Sequence, residues 1–304
     1  MVSYGERVRA NNIPWRGSFL SRRYLMQKHH LTTSGLLSSV ILCALKLWAG
    51  ILSGSIAVIS DALNSLLDVF SYTALHLSVI VQERAPDADH HFGHRRAEPL
   101  AGFLIAILAA ILGSMIIKDA FLSLFTVQKA VHQGEWQALF VLTVSILVKG
   151  ILAFLYRQNW KQTQSPAVLA SFVDSRNDAL TSLVAFIGVV FGNLWDSVAG
   201  LCIGLWILYS GGKVGLENLG YLMGKAPPAE ILALIRKEAL AVPGVTGVND
   251  LRAHFVGDLL HIEIHIEIDE RRTLKEAHDI GVTVRQRLEA LPHVDKAFIH
   301  IDPI

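Results

Sequence analysis

Polar side chains of the kinds that bind metal ions occur within two long apolar segments of the chain. Asn64 and Asp68 are four residues apart in one segment, and Asp174 and Asp178 are four residues apart in another. On an α-helix this spacing places both members of a pair on one face, one turn apart. Two such pairs on facing helices would surround one point with four oxygen donors. The spacing therefore predicts a metal site with four oxygen ligands.

A structural role is the alternative explanation for any one of these residues taken alone. Polar side chains inside helix bundles often only hydrogen-bond to a neighbouring helix. However, an ionisable group at the centre of a membrane helix costs about 2.5–3.5 kcal/mol, and three unpaired carboxylates would repel one another. We therefore expect a bound cation between the two pairs.

Further charged residues occur in the apolar segments, among them Asp61, Lys46 and Lys149. Asp61 precedes Asn64 by three residues and lies on the same helix face. Asp61 is either an auxiliary metal ligand, a proton relay or a polar cap of a helix hairpin. Lys46 and Lys149 are expected to snorkel towards polar surroundings or to form structural ion pairs.

The composition indicates that much of the chain faces lipid. Of the 304 residues, 52% are apolar and only 17% are charged, and the mean hydropathy is +0.43. Soluble domains carry roughly 25% charged residues. The net charge of +1 argues against a nucleic-acid-binding protein, and two cysteines exclude a disulfide scaffold and a cysteine-rich zinc module. The sequence therefore predicts an integral membrane protein.

Six segments are long and apolar enough to span a hydrocarbon core, which takes roughly 20 helical residues. We predict transmembrane helices at about 33–54, 56–82, 98–122, 136–156, 166–192 and 195–217. Eleven basic residues lie near the ends of one side (Arg7, Arg9, Arg16, Arg22, Arg23, Lys28, Arg84, Arg95, Arg96, Arg157 and Lys161), against two on the other (Lys118 and Lys129). The positive-inside rule then places both termini in the cytoplasm.

The chain changes character near Lys225, where a second domain is predicted. Isoleucines alternate with polar residues over 259–268, which indicates a strand buried on one face. With helical periodicity before and after it, the element order reads α-β-β-α-β, a small α+β domain of ferredoxin- or metallochaperone-like type with helices on one face of the sheet. We therefore predict a cytoplasmic segment at 1–32, a transmembrane domain at 33–218 and a cytoplasmic domain at 225–304.

Four stretches of the sequence resemble motifs of the cation diffusion facilitator family. They are Ser-Gly-Ser-Ile-Ala-Val-Ile-Ser-Asp-Ala-Leu-Asn-Ser-Leu-Leu-Asp at 53–68, Pro-Asp-Ala-Asp-His-His-Phe-Gly-His at 86–94, Asp-Ser-Arg-Asn-Asp at 174–178 and Phe-Ile-His-Ile-Asp-Pro at 298–303. The resemblance covers essentially residues 30–303. It implies a homodimeric secondary transporter that exports a divalent transition metal in exchange for protons, with Asn64, Asp68, Asp174 and Asp178 as its transport site.

The same resemblance implies two outer metal sites. In the loop after the second helix, the matching positions are Asp87, His90 and His94, although a solvated polar loop that binds nothing is equally compatible. In the C-terminal domain, the positions that match family ligands at a dimer interface are His265, His278, His300 and Asp302.

The C-terminal site departs from the family pattern at one position. Asn249 stands where the family has a histidine just before the Asp-Leu-Arg run, which puts a two-metal version of the site in doubt. His261 shares the polar face of its strand with His265 and is a candidate replacement. A plain polar sheet face is the alternative.

The ligand types favour manganese as the substrate. None of the four predicted transport ligands is a histidine, unlike the usual set of zinc-selective family members, and the set is similar to that of manganese-exporting members. Independently of the family, carboxylate and amide oxygens suit Mn²⁺, whereas imidazole suits zinc, copper, iron and nickel. We expect Mn²⁺ first, Fe²⁺ second and Zn²⁺ third, as substrates and as possible regulatory ligands, and no separate cofactor.

Two other classes of function compete with transport. A metal-sensing or scaffolding membrane protein would bind cations without moving them, and it would not require the intact set of four intramembrane ligands. An intramembrane metalloprotease would need a His-Glu-x-x-His motif, which the sequence lacks. Export remains the first prediction, and short loops favour a bacterial plasma membrane.

Overall fold

The apolar segments of the chain form six long helices, followed by a small domain of two helices and three strands. The computed structural model describes residues 22–82, 84–125, 134–163 and 166–304. In chain order the elements are α1 (Arg22–Ser53), α2 (Ile56–Gln82), α3 (Ala97–Ser123), α4 (Glu135–Thr163), α5 (Pro166–Phe191), α6 (Asn193–Leu222), α7 (Ala229–Leu240), β1 (Gly247–Val256), β2 (Leu259–Ile268), α8 (Leu274–Glu289) and β3 (Val294–Pro303).

Tight turns at glycine join two pairs of the long helices. Gly54 separates α1 from α2 with φ of 64°, and Gly192 separates α5 from α6 with φ of 65°. Only glycine adopts this left-handed conformation without a steric penalty, so each glycine ends one helix and lets the next begin. Each turn joins its two helices into a hairpin. The helix α1 begins earlier and α4 ends later than the apolar pattern alone suggests.

Four of the described helices are long and apolar enough to cross a membrane. They are Ile56–Gln82, Ala97–Ser123, Glu135–Lys161 and Leu194–Leu222. α5 carries three charged residues near its centre, and the apolar part of α1 within the described residues is the shorter Ser39–Ser53. The structure therefore supports a helical transmembrane domain with four apolar spans, whereas six spans remain a prediction.

Burial in this helical region is the reverse of that in a soluble protein. Lys46 and Asp61 are fully buried, whereas Trp136 is 83% exposed and Phe140 is 70% exposed. Large apolar side chains on the outside and paired charges on the inside fit a lipid environment, where polar groups face the interior of the bundle.

Asp196 caps a helix other than its own. It lies in the first turn of α6. Its carboxylate instead accepts hydrogen bonds from the backbone N–H groups of Ile56 (2.8 Å) and Ala57 (3.3 Å) and from the Ser55 hydroxyl. A carboxylate at a helix N-terminus satisfies donors that have no partner within the helix. Asp196 thus fixes the start of α2, the helix that carries Asn64 and Asp68.

The C-terminal sheet has the order β1-β2-β3, with β1 antiparallel and β3 parallel to the central strand. Ile262, Ile264, Ile266 and Ile268 of β2 are at most 1% exposed and form a core with α7 and α8. Both helices therefore cover the isoleucine face of the sheet, as the strict alternation in β2 predicts. The histidines and glutamates of β2 lie on the other face.

The described residues divide into two compact units. One contains Met26–Val79 and Ala101–Glu217, and the other contains Ile80–Leu100 and Asn218–Ile304. The loop between α2 and α3 therefore belongs to the same unit as the C-terminal sheet.

We expect Ile264→Ala to lower the free energy of unfolding of the C-terminal sheet by about 2–5 kcal/mol, because it leaves a cavity in a close-packed core. Hydrogen exchange of the β2 amides in the detergent-solubilised protein measures this change. Leu274→Ala is the matched control, since Leu274 is 89% exposed. Equal loss of protection in both variants would contradict the assignment of Ile264 to the core.

Candidate metal centre

The four predicted transport ligands lie on two helices, Asn64 and Asp68 on α2 and Asp174 and Asp178 on α5. The members of each pair are four residues apart. Asp178 is buried, Asn64 and Asp68 are half-buried, and Asp174 is exposed. The carboxyl groups of Asp68 and Asp178 are close enough to hydrogen-bond, and Asp174 lies within electrostatic range of both. One oxygen of Asp68, Oδ2, is buried and has no hydrogen-bond partner among the residues that the structure describes. A buried acceptor with no donor is a position where a cation fits.

Two other groups of possible metal ligands lie closer together than the intramembrane carboxylates do. Among the described residues, ligand atoms that all lie within 4.8 Å of one another occur in Asp87, His90 and His94 and in His265, His300 and Asp302. Both groups coincide with outer sites implied by the family motifs.

Two lysines that the sequence assigned only to structural pairing contact these carboxylates directly. Lys149 of α4 places its Nζ 2.6 Å from Asp178 Oδ2 and donates a hydrogen bond of 3.1 Å to Ser39 Oγ of α1. Lys46 of α1 lies 2.9 Å from Asp61 Oδ2. Both lysines are buried. Each joins a helix that carries a predicted ligand pair to a helix that carries none.

Asp61 joins three helices through its side chain. Its Oδ2 accepts hydrogen bonds from Lys46 of α1 and, at 2.9 Å, from the Ser182 hydroxyl of α5. The Ser182 hydroxyl also hydrogen-bonds Ser145 of α4 at 3.1 Å. These contacts place Asp61 in a polar brace between helices, while its other oxygen, Oδ1, has no partner within the described part of the chain. A relay or ligand role for Asp61 stays a prediction.

In the loop after α2, Asp87 organises the first tight group. Its Oδ1 accepts hydrogen bonds from the backbone N–H of Asp89 (3.1 Å) and of His90 (2.7 Å). The bond from His90 is the main reason that the pKa of Asp87 is below its usual value. His90 Nδ1 and His94 Nε2 each lie 3.3 Å from this carboxylate, and His94 Nδ1 is buried without a partner. An ionised carboxylate beside two imidazoles has the donor chemistry of a zinc-like ion site.

The rest of this loop packs on the polar face of the C-terminal sheet. The ring of Phe92 lies 5.6 Å from that of His261, and Arg95 forms an ion pair of 3.1 Å with Asp258. At Gly257, whose φ is 65°, a Cβ would lie 2.6 Å from the carbonyl oxygen of Arg95. The close approach of the loop therefore requires glycine at this turn.

Neighbouring parallel strands bring the second tight group together. His265 of β2 is the register partner of His300 of β3, and their ring centroids are 4.5 Å apart. Asp302 lies two residues after His300 on the same face, 3.5 Å from His265 Nδ1 and 3.3 Å from His300 Nε2.

Asn249 contacts this group from β1. Its side-chain amide donates a hydrogen bond of 3.1 Å to Asp302 Oδ2. This bond is the main cause of a lowered pKa at Asp302, with smaller contributions from His265 and His300. The residue at the position of the family histidine therefore stabilises the ionised form of Asp302 and donates to one of its oxygens.

Two histidines assigned to the C-terminal site lie outside this group. His261 is 5% exposed, and its Nε2 is 3.1 Å from Asp295. His278 is exposed on α8, a helix that packs against the isoleucine face. His261 lies on the polar face of the sheet, whereas His278 lies on the far side. The two histidines therefore cannot bind the same ion within one chain.

Two family models match almost the entire chain. Residues 32–223 match the model described as the cation efflux transmembrane domain, and residues 227–304 match the one described as the cation efflux protein, cytoplasmic domain. The chain belongs to the cation diffusion facilitator family. Cation diffusion facilitators are metal transporters rather than enzymes, and their cytoplasmic domain is a dimerisation domain. The membrane and family predictions made from the sequence are confirmed.

Several relatives match over most of this cation diffusion facilitator. An uncharacterized transporter of Methanocaldococcus jannaschii is 34% identical over 88% of this chain and 95% of its own length. Metal tolerance protein C1 of Arabidopsis thaliana is 31% identical over 88% of this chain, which spans only 61% of that protein. The manganese efflux system protein MneS of Bacillus subtilis is 27% identical over 89% of this chain and 95% of its own length.

The geometry groups His265 and His300 with Asp302 and leaves His278 outside this group. We expect His265→Ala to weaken binding of a divalent ion at the C-terminal group by about tenfold or more, because one of three donors is lost. His278→Ala is the matched control and leaves the affinity unchanged. Isothermal titration of the purified protein with Mn²⁺ and with Zn²⁺ measures both. A comparable loss in His278→Ala would contradict the assignment and indicate a site that the partner subunit completes.

Proposed function

We propose that this protein exports divalent transition-metal cations from the cytoplasm in exchange for protons, with Mn²⁺ preferred over Fe²⁺ and Fe²⁺ over Zn²⁺. The observation that carries the proposal is the buried Asp68 Oδ2, which has no hydrogen-bond partner among the described residues and belongs to a carboxyl group close to that of Asp178. The four predicted ligands on α2 and α5 offer oxygen donors without an imidazole. Oxygen ligands suit Mn²⁺, and the absence of imidazole removes the donor that most favours zinc. Similarity to a manganese efflux protein supports the same substrate.

The transport cycle is one of alternating access. In the state open to the cytoplasm, Asp68, Asp174 and Asp178 are ionised and bind the cation together with Asn64. The helices that carry the two pairs then rearrange and expose the site to the other side of the membrane. Protons compete with the metal for the carboxylates, because these ligands bind a cation only when deprotonated. Protonation releases the metal, and the return of the protonated site carries protons inward.

The wider architecture follows from the same proposal. The protein is a homodimer with six spans per subunit, and both termini lie in the cytoplasm of a bacterial cell whose plasma membrane it spans. The excess of basic residues on one side supports this orientation. The groups Asp87, His90 and His94 and His265, His300 and Asp302 serve as accessory metal sites. Ions bound there act as regulatory ligands that bias the dimer towards one state.

Uptake into proteoliposomes tests transport. With an imposed pH gradient, we expect Mn²⁺ uptake that stops when the gradient is collapsed. Asp68→Asn should lower uptake roughly 100-fold or more, since even changes outside the ligand shell cost metal sites 10–100-fold. Asp119→Asn is the matched control, because Asp119 is an exposed carboxylate on α3. Binding without any uptake would favour the rival function, a metal sensor or scaffold.

Replacement of one oxygen ligand tests the choice of metal. We expect Asn64→His to raise the ratio of Zn²⁺ to Mn²⁺ transport by about tenfold, because imidazole is a better ligand for zinc than an amide oxygen. Asn64→Asp is the control that keeps an oxygen donor and the preference for Mn²⁺. Competition between the two metals in the same vesicles gives the ratio. An unchanged ratio in Asn64→His would remove Asn64 from the ligand set.

A further inference from the structure

Lys149 contributes a fixed positive charge to the predicted transport site from a helix that carries none of its ligands. The side chain is 5% exposed, and its Nζ lies 2.6 Å from Asp178 Oδ2. Asp68 and Asp174 are also within its electrostatic range. An ammonium group has three donors and no acceptor. The ammonium group therefore interacts with the carboxylates as a bound cation would.

The position of Lys149 creates a direct conflict with the substrate. A metal ion bound to Asp178 Oδ2 would share that oxygen with an ammonium group 2.6 Å away, and two positive charges so close to each other repel strongly. A second acceptor is already in place, since the same Nζ hydrogen-bonds Ser39 Oγ on α1 at 3.1 Å. Lys149 can therefore release Asp178 and keep one protein partner.

We propose that Lys149 is a tethered counter-ion that occupies Asp178 in the metal-free site and moves onto Ser39 when the metal binds. The lysine stays protonated throughout and only exchanges partners. This inference rests on the proposed function, because it assigns Lys149 the task of limiting the affinity of the transport site. It makes Lys149 a positioning residue that holds Asp178 and competes with the substrate.

A limit on affinity is what a transporter needs at this site. Three carboxylates close together bind a divalent cation tightly, and tight binding of the ground state slows release. A unit positive charge a few ångströms away opposes binding by at least roughly tenfold, even at an effective dielectric constant of about 20. Lys149 thus lowers the affinity of the site for the metal and speeds the release that turnover requires.

The first experiment compares Mn²⁺ binding and transport in three variants of the full-length protein. Lys149→Met removes the charge and keeps the length of the side chain, Lys149→Arg keeps the charge, and Lys118→Met is the control, because Lys118 is exposed on α3. The electron paramagnetic resonance signal of free Mn²⁺ gives the Kd, and initial uptake rates in proteoliposomes give KM and kcat.

We expect Lys149→Met to lower both Kd and KM by about tenfold and to lower kcat. Lys149→Arg should stay within a few-fold of the wild type, and Lys118→Met should match it. A purely structural role for Lys149 predicts a lower kcat with an unchanged or higher KM, and that result would overturn the proposal. So would unchanged values of both constants.

Ser39→Ala provides a test that does not require removal of a buried lysine. Without the Ser39 hydroxyl, Lys149 loses the second hydrogen-bond acceptor that the described residues give it, so the metal competes less well for Asp178 and the Kd rises several-fold. An unchanged Kd would overturn the proposal, and this result decides the matter if Lys149→Met does not fold. If the wild type takes up no metal, the proposed transport function fails, whereas the Kd values still decide the role of Lys149.

Discussion

The cost of placing charge inside an apolar helix bundle determines how the transmembrane helices are held together. A carboxylate or ammonium group removed from water loses several kcal/mol of solvation, which only close partners restore. The described residues meet this requirement with two pairs, Lys46 with Asp61 and Lys149 with Asp178. Each pair links different helices, so the packing of the bundle depends on the positions of the charges.

Such pairs specify geometry more than they add stability. Replacement of a buried ion pair by well-packed apolar residues is often neutral or stabilising, whereas removal of one partner is strongly destabilising. The polar brace around Asp61 therefore makes one arrangement of α1, α2 and α5 much more stable than its alternatives. Asp196, which caps α2 from α6, adds a further constraint on the helix that presents Asn64 and Asp68.

The sequence was sufficient to predict elements whose pattern is local. Hydropathy located the long helices, and the alternation of β2 identified both the buried isoleucine face and the face that carries His265. The parallel pairing that places His265 beside His300 could not be predicted from the sequence, because it depends on the path of α8 between the two strands. The family resemblance, not the residue pattern, supplied that group of ligands.

Partners distant in the chain explain most of what sequence reasoning missed. Nothing local distinguishes Lys149, which contacts Asp178 and Ser39, from a lysine that snorkels. His261 resembles His265 in strand position, yet Asp295 and the loop residue Phe92 surround it. Its burial depends on a loop more than 160 residues earlier in the chain, so period-two alternation alone predicts the wrong environment.

Charge balance connects these long-range contacts to the class of substrate. Lys46 and Asp61 neutralise each other. At the predicted transport site, the described residues bring together three carboxylates, Asp68, Asp174 and Asp178, and the ammonium group of Lys149. When all four groups are ionised, their sum is two negative charges. A monovalent cation would leave one negative charge without compensation, and a trivalent cation would leave an excess of positive charge. A divalent cation alone makes the group neutral, so the lysine that opposes metal binding also matches the site to the charge of its substrate.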